Sequence, residues 1–231
     1  MGIEQNTVAA TGQVVDWEAM RVVQRGGFKK VLFVGNSITR HGPKPAIGWE
    51  GDWGMAASAP EKDYVHQTVT LLEQSMGLVD YAFVNFSKWE VNFWDDSVLT
   101  ECDRFLQFEP DIVVMRLGEN IWSRAVRDKL QEYDLYVHFD RMIKAFAKGG
   151  ATILLTDLFW PHPPIDSVIH RVAANSGYPL VHLGDLGELD ENKAIGLFEH
   201  TGVAAHPGDL GMHRIAQRIA SAILAIAEGQ K

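Results

Sequence analysis

The sequence has little cysteine, no excess of positive charge and no long hydrophobic run. Cys102 is the single cysteine in 231 residues, so no disulfide can form within the chain, and its apolar neighbours predict a buried, inert thiol. The formal net charge of −9 argues against a general nucleic-acid binder and a polybasic membrane-surface protein, because both need a basic face. We therefore expect neither nucleic acid nor a membrane as a partner.

No segment stays apolar over the roughly 18 residues that a membrane span needs. Residues 1–12 are polar and lack the apolar core of a secretory signal, which predicts a cytoplasmic protein. The length and the 46% of hydrophobic residues suit one sizeable globular domain. We place that single domain over residues 1–231, with residues 1–28 as an N-terminal extension packed on or near it.

Short, nearly continuous apolar segments alternate with helical patterns along the chain. The strand candidates are residues 30–34, 79–85, 111–117, 151–157 and 179–183. Such segments are typical of parallel strands buried on both faces. The helical stripes, with apolar residues three to four positions apart, are Val65, Val69, Leu72 and Met76; Leu135, Phe139, Met142 and Phe146; and Met212, Ile215, Ile219, Ile223 and Ile226. The alternation predicts the α/β class, as a three-layer α/β/α sandwich around a central parallel sheet of about five strands.

A Gly-Asn-Ser turn at residues 35–37 directly follows the first predicted strand. Ser37 would therefore lie at the carboxyl edge of the sheet, where open α/β folds hold their ligands. Backbone N–H groups at such a turn can stabilise an oxyanion. A tight turn with a capping serine explains the same residues equally well, so the turn alone leaves a nucleophile and a structural serine as alternatives.

Two later polar residues fall at the same predicted edge. Asn120 follows the third strand, and its amide can donate to an oxyanion, although turn chemistry also explains an asparagine there. His206 precedes the last helix and can act as general base to a serine, while Asp209 is placed to cap that helix. His200 and His213 make no known metal-ligand spacing with His206, so we expect no metal and no cofactor.

Tryptophans are concentrated just beyond the predicted strand ends. Six of the seven lie there, namely Trp49, Trp53, Trp89, Trp94, Trp122 and Trp160. Packing explains each one alone, but together they predict an aromatic-walled cleft at the edge of the sheet. Flat rings beside acids suit a sugar. The loop 40–62 exceeds the roughly two to six residues of an ordinary βα connection. We interpret it as a structured substrate loop; a loop that only covers the sheet edge is the alternative.

Three segments together resemble the SGNH (GDSL-like) hydrolase superfamily. They are Gly-Asn-Ser-Ile at 35–38, Gly-Glu-Asn at 118–120 and His-Pro at 206–207, in the expected order. The resemblance extends over about residues 29–228 and implies a flavodoxin-like fold. It also implies ester hydrolysis with Ser37 as nucleophile and His206 as general base. The Ser37 backbone N–H and the Asn120 side chain would then stand in the oxyanion hole.

The chain departs from the superfamily pattern at three places. Asn36 stands where the superfamily has aspartate, and an asparagine can shape the same turn. No glycine stands near residues 85–89 to supply the second backbone donor, so Ser87 is the candidate substitute. Val203 stands where the acid that orients the histidine is expected. The alternatives for that role are a backbone carbonyl or a carboxylate of Asp209, Glu119 or Asp52.

From the resemblance and the tryptophans we expect a serine esterase that removes acyl groups, most simply acetyl, from a carbohydrate through an acyl-enzyme. Its partner would be a small-molecule or oligosaccharide ester. The alternatives are a glycoside-cleaving enzyme that uses Glu50, Asp52 and Glu119 as paired carboxylates, and a catalytically weak carbohydrate-binding protein. The candidate substrate-binding residues are Asn36, Trp49, Asp52, Trp53, Ser87, Trp89, Glu119, Trp122 and Trp160.

Overall fold

A central sheet covered by helices on both faces forms the frame of the protein. The computed structural model describes residues 20–124 and 126–229. The strands of the sheet are β1 (Arg21–Val23), β2 (Lys29–Gly35), β3 (Val79–Asn85), β4 (Ile112–Arg116), β5 (Thr152–Thr156) and β6 (Leu180–Val181). Their order is β1-β3-β2-β4-β5-β6. β1 runs antiparallel to β3, and all other neighbours are parallel. The predicted α/β/α class and its parallel sheet are confirmed.

The helices follow the strands in alternation. They are α1 (Tyr64–Met76), α2 (Ser87–Glu90), α3 (Cys102–Leu106), α4 (Leu135–Ala147), α5 (Pro163–Ser176), α6 (Gly184–Gly187), α7 (Thr201–Ala204) and α8 (Asp209–Gly229). Short 3₁₀ turns lie at Pro45–Ile47, Pro60–Lys62, Asp96–Glu101, Arg127–Gln131 and Asp190–Asn192. None of the helices that the structure describes is long and apolar enough to cross a membrane.

The central strands are largely apolar because both faces of the sheet are buried. Leu32 and Val34 of β2 point into the core formed with α4 and α5. Val31 and Phe33 point into the core formed with α1 and α8. Successive side chains of a strand alternate between faces, so β2, β3, β4 and β5 each supply both cores. This explains why the strand segments read as continuous apolar runs rather than alternating ones.

The sequence interpretation missed strand β1. Arg21–Val23 is only three residues long and partly exposed, too short for a period-two pattern to stand out. The chain after it is held by Asp80, whose Oδ1 accepts hydrogen bonds from the backbone N–H groups of Arg25 at 2.6 Å and Gly27 at 2.9 Å. Residues 1–19, including the polar segment 1–12 and most of the predicted extension, lie outside the described residues.

Because β2, β3, β4 and β5 run parallel, the loops after them meet at one edge of the sheet. Ser37 follows β2, Ser87 begins the helix after β3, and Asn120 follows β4. The segment that carries His206 lies between α7 and α8. The fold thus brings together polar residues that are far apart in sequence.

Candidate active site

Ser37 and His206 form a hydrogen-bonded pair across 169 positions of sequence. The Ser37 Oγ lies 2.8 Å from His206 Nε2. On the other side of the ring, Nδ1 lies 2.7 Å from the carbonyl oxygen of Gly202. A carbonyl oxygen can only accept, so Nδ1 carries the proton in the neutral ring. Nε2 therefore presents its lone pair to the Ser37 hydroxyl, which is the tautomer that a general base requires.

A backbone carbonyl, rather than a carboxylate, orients His206. Asp209 was one of the carboxylates considered for orienting His206. It instead accepts hydrogen bonds from Ser58 N at 2.8 Å and Ser58 Oγ at 2.7 Å. Asp209 is also the first residue of α8 rather than its N-cap, so the capping prediction was wrong. Val203, at the position of the missing acid, is buried in an apolar cluster. The chain satisfies Nδ1 through the backbone instead.

Burial of the imidazole lowers the pKa of His206 to about 4. Desolvation penalises the charged ring most strongly, and the positive charge of Arg116 acts in the same direction. The hydrogen bond to the Gly202 carbonyl opposes them by favouring the protonated form. His206 is therefore neutral near pH 7 and ready to accept a proton.

Two donors face the region in front of Ser37. The Ser37 backbone N–H finds no acceptor among the described residues. The Asn120 side chain lines the same cavity, and its Nδ2 uses one hydrogen to donate to Glu90 Oε2 at 2.5 Å. The second amide hydrogen is left for a ligand. Two convergent donors of this kind can stabilise a negative oxygen.

Ser87 lies beside the cavity but does not offer its backbone N–H. That group donates to Asn85 Oδ1 at 2.9 Å, so the second backbone donor expected near this position is already occupied. Both Asn85 and Ser87 line the cavity. The Ser87 hydroxyl is the group that can still reach a substrate.

A buried polar network lies beneath the Gly-Asn-Ser turn. Asn36 is fully buried, and its Nδ2 donates to Glu90 Oε1 at 3.1 Å and Glu119 Oε2 at 2.6 Å. Arg116 donates to Asn36 Oδ1 at 2.5 Å and pairs with Glu119 at 2.5 Å. Asn36 and Glu119 therefore support the turn, and the prediction that they contact substrate is corrected. The reason is that the amide and the Arg116–Glu119 ion pair hydrogen-bond to one another away from solvent.

Glu90 connects this network to the oxyanion side of the site. It is fully buried, and its carboxylate also accepts the Gly118 backbone N–H at 2.5 Å. Desolvation raises the pKa of Glu90, and the negative charge of Glu119 adds to that rise. Hydrogen bonds from Asn120, Gly118 and Asn36 favour the ionised form in opposition. Glu90 fixes two points of the segment that carries Asn120.

The cavity in front of Ser37 has a volume of about 280 Å³. The loop 40–62 contributes to it through His41, Ile47 and Met55, as a substrate loop would. The full lining is Ser37, His41, Ile47, Met55, Asn85, Ser87, Asn120, His200, Gly202, Val203 and His206. The cavity is thus small, apolar on one side and rich in hydrogen-bonding groups on the other.

None of the six tryptophans that the structure describes lines this cavity. Trp49 and Trp89 are buried in the core. Trp53 is partly buried, and its indole N–H donates to the Ala57 carbonyl at 2.9 Å. The expectation of an aromatic-walled cleft is corrected for these rings, because large apolar side chains in long loops hold those loops onto the domain.

The other tryptophans are placed differently. The Trp160 ring packs edge-on against the His206 ring, with centroids 4.9 Å apart, and donates its indole N–H to the Ala205 carbonyl. It supports the His206 ring and does not line the cavity. Trp122 is 48% exposed, against His162, and lies two positions beyond Asn120. Trp94 stacks on Tyr133, away from the cavity lining.

Asp52 is bound by arginines. Its carboxylate accepts from the buried Arg40 side chain, through Nε at 2.9 Å and Nη2 at 3.0 Å, and from Arg21 Nη2 at 2.9 Å. The prediction that Asp52 binds substrate is corrected, since this bidentate pair neutralises Arg40. Glu50 is exposed and does not line the cavity. With Glu119 also paired, two carboxylates of the glycosidase alternative are engaged elsewhere, and the third, Glu50, lies outside the cavity lining.

The sequence reasoning did not identify Glu90, His41, Asn85 or the Gly202 carbonyl as parts of the site. Glu90 offered one signal, an acid between Trp89 and Val91, five residues after the end of the predicted second strand. The Gly202 carbonyl offered none, because every residue carries a backbone carbonyl. Such groups become visible only when the fold places them.

Comparison with known proteins gives a consistent result at the level of structure. No protein-family model matches the sequence, and no curated protein has a significantly similar sequence. The psychrotrophic esterase EstA from Pseudoalteromonas sp. superposes with a TM-score of 0.58 at 16% identity, over 87% of this chain and 99% of that one. A family two carbohydrate esterase from Cellvibrio japonicus gives 0.54 at 13% identity, over 88% of this chain and 63% of that one.

A GDSL-like protein from Bacteroides uniformis superposes with a TM-score of 0.53 at 14% identity, over 87% of this chain and 97% of that one. At such low identities the likeness establishes the architecture alone. It nevertheless extends over nearly the whole described domain. The chain has the fold of the SGNH (GDSL-like) hydrolases.

Proposed function

We propose that the protein is a serine esterase in which Ser37 and His206 act as a two-residue catalytic unit. The observation that carries the proposal is the Ser37 Oγ to His206 Nε2 hydrogen bond of 2.8 Å. It is supported by the Nδ1 bond to Gly202, which fixes the tautomer. A structural serine would not need a histidine held in this tautomer at a cavity wall.

The groups present suffice for each step of ester hydrolysis. Ser37 Oγ attacks the acyl carbon while His206 Nε2 takes its proton. The Ser37 N–H and the Asn120 amide receive the negative oxygen. When the intermediate collapses, the proton on Nε2 passes to the departing alcohol oxygen and leaves an acyl-enzyme. Water then attacks, His206 takes its proton, and return of that proton to Ser37 Oγ releases the carboxylic acid.

We propose a short acyl group, most simply acetyl, carried by a carbohydrate. The cavity of about 280 Å³ lies below the roughly 300–1,000 Å³ of ordinary ligand pockets, which favours a short acyl chain. The exposed Trp122 ring, close in sequence to Asn120, offers a flat surface for a sugar ring outside the cavity. A carbohydrate esterase also shares the fold.

A fluorophosphonate probe, which labels activated serines, tests the proposal. Wild type should be labelled at one site, mapped by mass spectrometry to Ser37, and should hydrolyse p-nitrophenyl acetate faster than the octanoate. Ser37→Ala should lose both labelling and turnover. Ser87→Ala is the matched control, since Ser87 lines the same cavity but has no hydrogen bond to any histidine that the structure describes, and it should keep the label. Full turnover by a folded Ser37→Ala variant would refute the esterase; an unlabelled wild type would favour a binding protein.

A further inference from the structure

A second cluster of polar side chains lies where β5, β6 and α5 meet. Asp157 directly follows β5, His170 lies within α5, and His182 directly follows β6. One ligand atom from each of the three residues lies within 4.8 Å of the others. None of them lines the Ser37 cavity, so the cluster is separate from the site described above.

The carboxylate of this cluster is held in a fixed orientation. Asp157 Oδ1 accepts hydrogen bonds from the backbone N–H groups of Leu183 at 2.5 Å and Gly184 at 3.3 Å. This leaves Oδ2 directed at the two imidazoles, 2.8 Å from His182 Nδ1 and 3.3 Å from His170 Nε2. The Asp157 side chain is only 9% exposed. Backbone hydrogen bonds to the second carboxylate oxygen are the kind of support that orients a metal ligand.

We propose that Asp157, His170 and His182 bind a zinc ion. Two imidazole nitrogens and one carboxylate oxygen are a common ligand set for Zn²⁺, with bonds of about 2.0–2.2 Å. In a tetrahedral site such bonds place neighbouring ligand atoms about 3.3 Å apart. Asp157 Oδ2 lies 2.8 and 3.3 Å from the two imidazole nitrogens, and those nitrogens lie within 4.8 Å of one another, so small shifts would bring all three to a metal ion. The His170 and His182 side chains are 44% and 67% exposed, so water can complete the coordination.

Nearby charges are compatible with a bound cation. Arg218 lies close by and donates to the His182 carbonyl at 2.6 Å. Its guanidinium is also paired with Asp185 through two hydrogen bonds of 2.5 and 2.7 Å, which offset its positive charge. A zinc ion here would tie α5 to the ends of β5 and β6, and its role would be structural.

Tag-free protein, stripped with EDTA, should be titrated with Zn²⁺ alone and followed by calorimetry and metal analysis. We expect one ion per chain and a melting temperature raised by roughly 5 °C or more at a hundredfold excess over Kd. His170→Gln, His182→Gln and Asp157→Asn should each weaken binding at least tenfold. The asparagine keeps the oxygen that accepts from Leu183, so this variant should remain folded even if a histidine variant does not.

His138→Gln is the matched control, because His138 lies 3.3 Å from the Asp96 carboxylate without belonging to the cluster. It should bind zinc as wild type does. Ester turnover of the cluster variants should also stay at the wild-type level. Absence of stoichiometric binding to wild type would overturn the proposal. So would binding that survives in all three cluster variants, which would assign the ion to the cavity histidines His41, His200 and His206.

Discussion

The Asn120 amide is held from below by Glu90. Its Nδ2 donates to Glu90 Oε2 at 2.5 Å, and the other oxygen of the same carboxylate accepts from Gly118 N at 2.5 Å. Two points of the loop after β4 thus rest on one buried side chain. Because both Glu90 oxygens accept N–H groups here, this contact keeps the amide nitrogen, rather than the amide oxygen, on the Glu90 side.

Glu90→Gln should therefore impair catalysis through Asn120. A glutamine can present N–H to Asn120 and turn its amide over, which removes the oxyanion donor. We expect kcat to fall by about 10²-fold with little change in KM, near the 10²–10³-fold loss expected for Asn120→Ala. Steady-state kinetics of both single variants and the double variant measure this. The double variant should be no slower than Asn120→Ala alone. If its loss in kcat equals the product of the two single losses, Glu90 does not act through Asn120.

The pH dependence of the reaction should reflect the low pKa of His206. Since only neutral His206 can accept the Ser37 proton, kcat/KM should hold down to about pH 4–5 and fall as pH passes through the pKa of about 4. An unfolded histidine binds a proton already below about pH 6.5, so the free energy of unfolding decreases from there toward pH 4. Melting must therefore be followed at each pH. An acid limb centred near pH 6.5 in folded protein would contradict the assignment.

Val203→Asp restores a carboxylate three positions before His206 but places it among buried apolar side chains. Val203 is fully buried and packs in a cluster with Trp49 and Met55. We expect a loss of about 3 kcal/mol in stability and no large gain in kcat. Val203→Asn introduces a side chain with the shape of aspartate but without its charge. It therefore separates the effect of polarity from the effect of ionisation. A tenfold rise in kcat with an unchanged melting temperature would show that an acid is simply missing.

Asp52→Ala should destabilise the fold by leaving the buried Arg40 without its carboxylate partner. Breaking a buried ion pair costs about 3–5 kcal/mol. Asp52 is 34% exposed, so we expect about 3 kcal/mol, measured by denaturant unfolding. Asp52→Asn keeps one acceptor oxygen and should lose less. If Asp52 were instead a catalytic carboxylate, both variants would lose activity equally while remaining as stable as wild type.

Trp49→Ala and Trp122→Ala should have different consequences. Removing the buried Trp49 ring should cost about 3–5 kcal/mol of stability and slow all esters together. Removing the exposed Trp122 ring should change stability by less than about 0.5 kcal/mol and lower kcat/KM only for an acetylated oligosaccharide. Paired assays with p-nitrophenyl acetate make the comparison. Equal turnover of the sugar ester by Trp122→Ala and wild type would remove the main support for a carbohydrate substrate.

The sequence predicted the frame of the molecule well because that frame follows from local patterns. The apolar runs of β2 to β6 and the helical stripes of α1, α4 and α8 are visible in any short window. Ser37 and Asn120 follow from the same reasoning, since a polar residue directly after a parallel strand must lie at the carboxyl edge. The sequence spacing could not show that Ser37 and Asn120 lie close to His206. That expectation came only from the resemblance to the superfamily.

The hydrogen-bond partners of the buried polar groups could not be predicted from local sequence patterns. Asn36, Arg116, Glu90 and Glu119 are exposed or buried according to what the fold places around them. Tryptophans pack or bind according to the same placement, which is why Trp49 lies in the core whereas Trp122 does not. Strand β1 was missed because pairing with β3, rather than its own composition, makes it a strand.

The contact between His206 and the Gly202 carbonyl has a genetic consequence. An orienting carboxylate can be deleted by a single substitution, but every amino acid at position 202 would still supply a carbonyl oxygen. The sensitive feature is instead the backbone conformation at Gly202. A Cβ added there would lie 2.9 Å from the His200 ring. The Nδ1 of that ring accepts a hydrogen bond from the Val203 N–H near the start of α7. Substitutions that disturb His206 should therefore be found in the turn that shapes this carbonyl, and larger residues at 202 should act by displacing it.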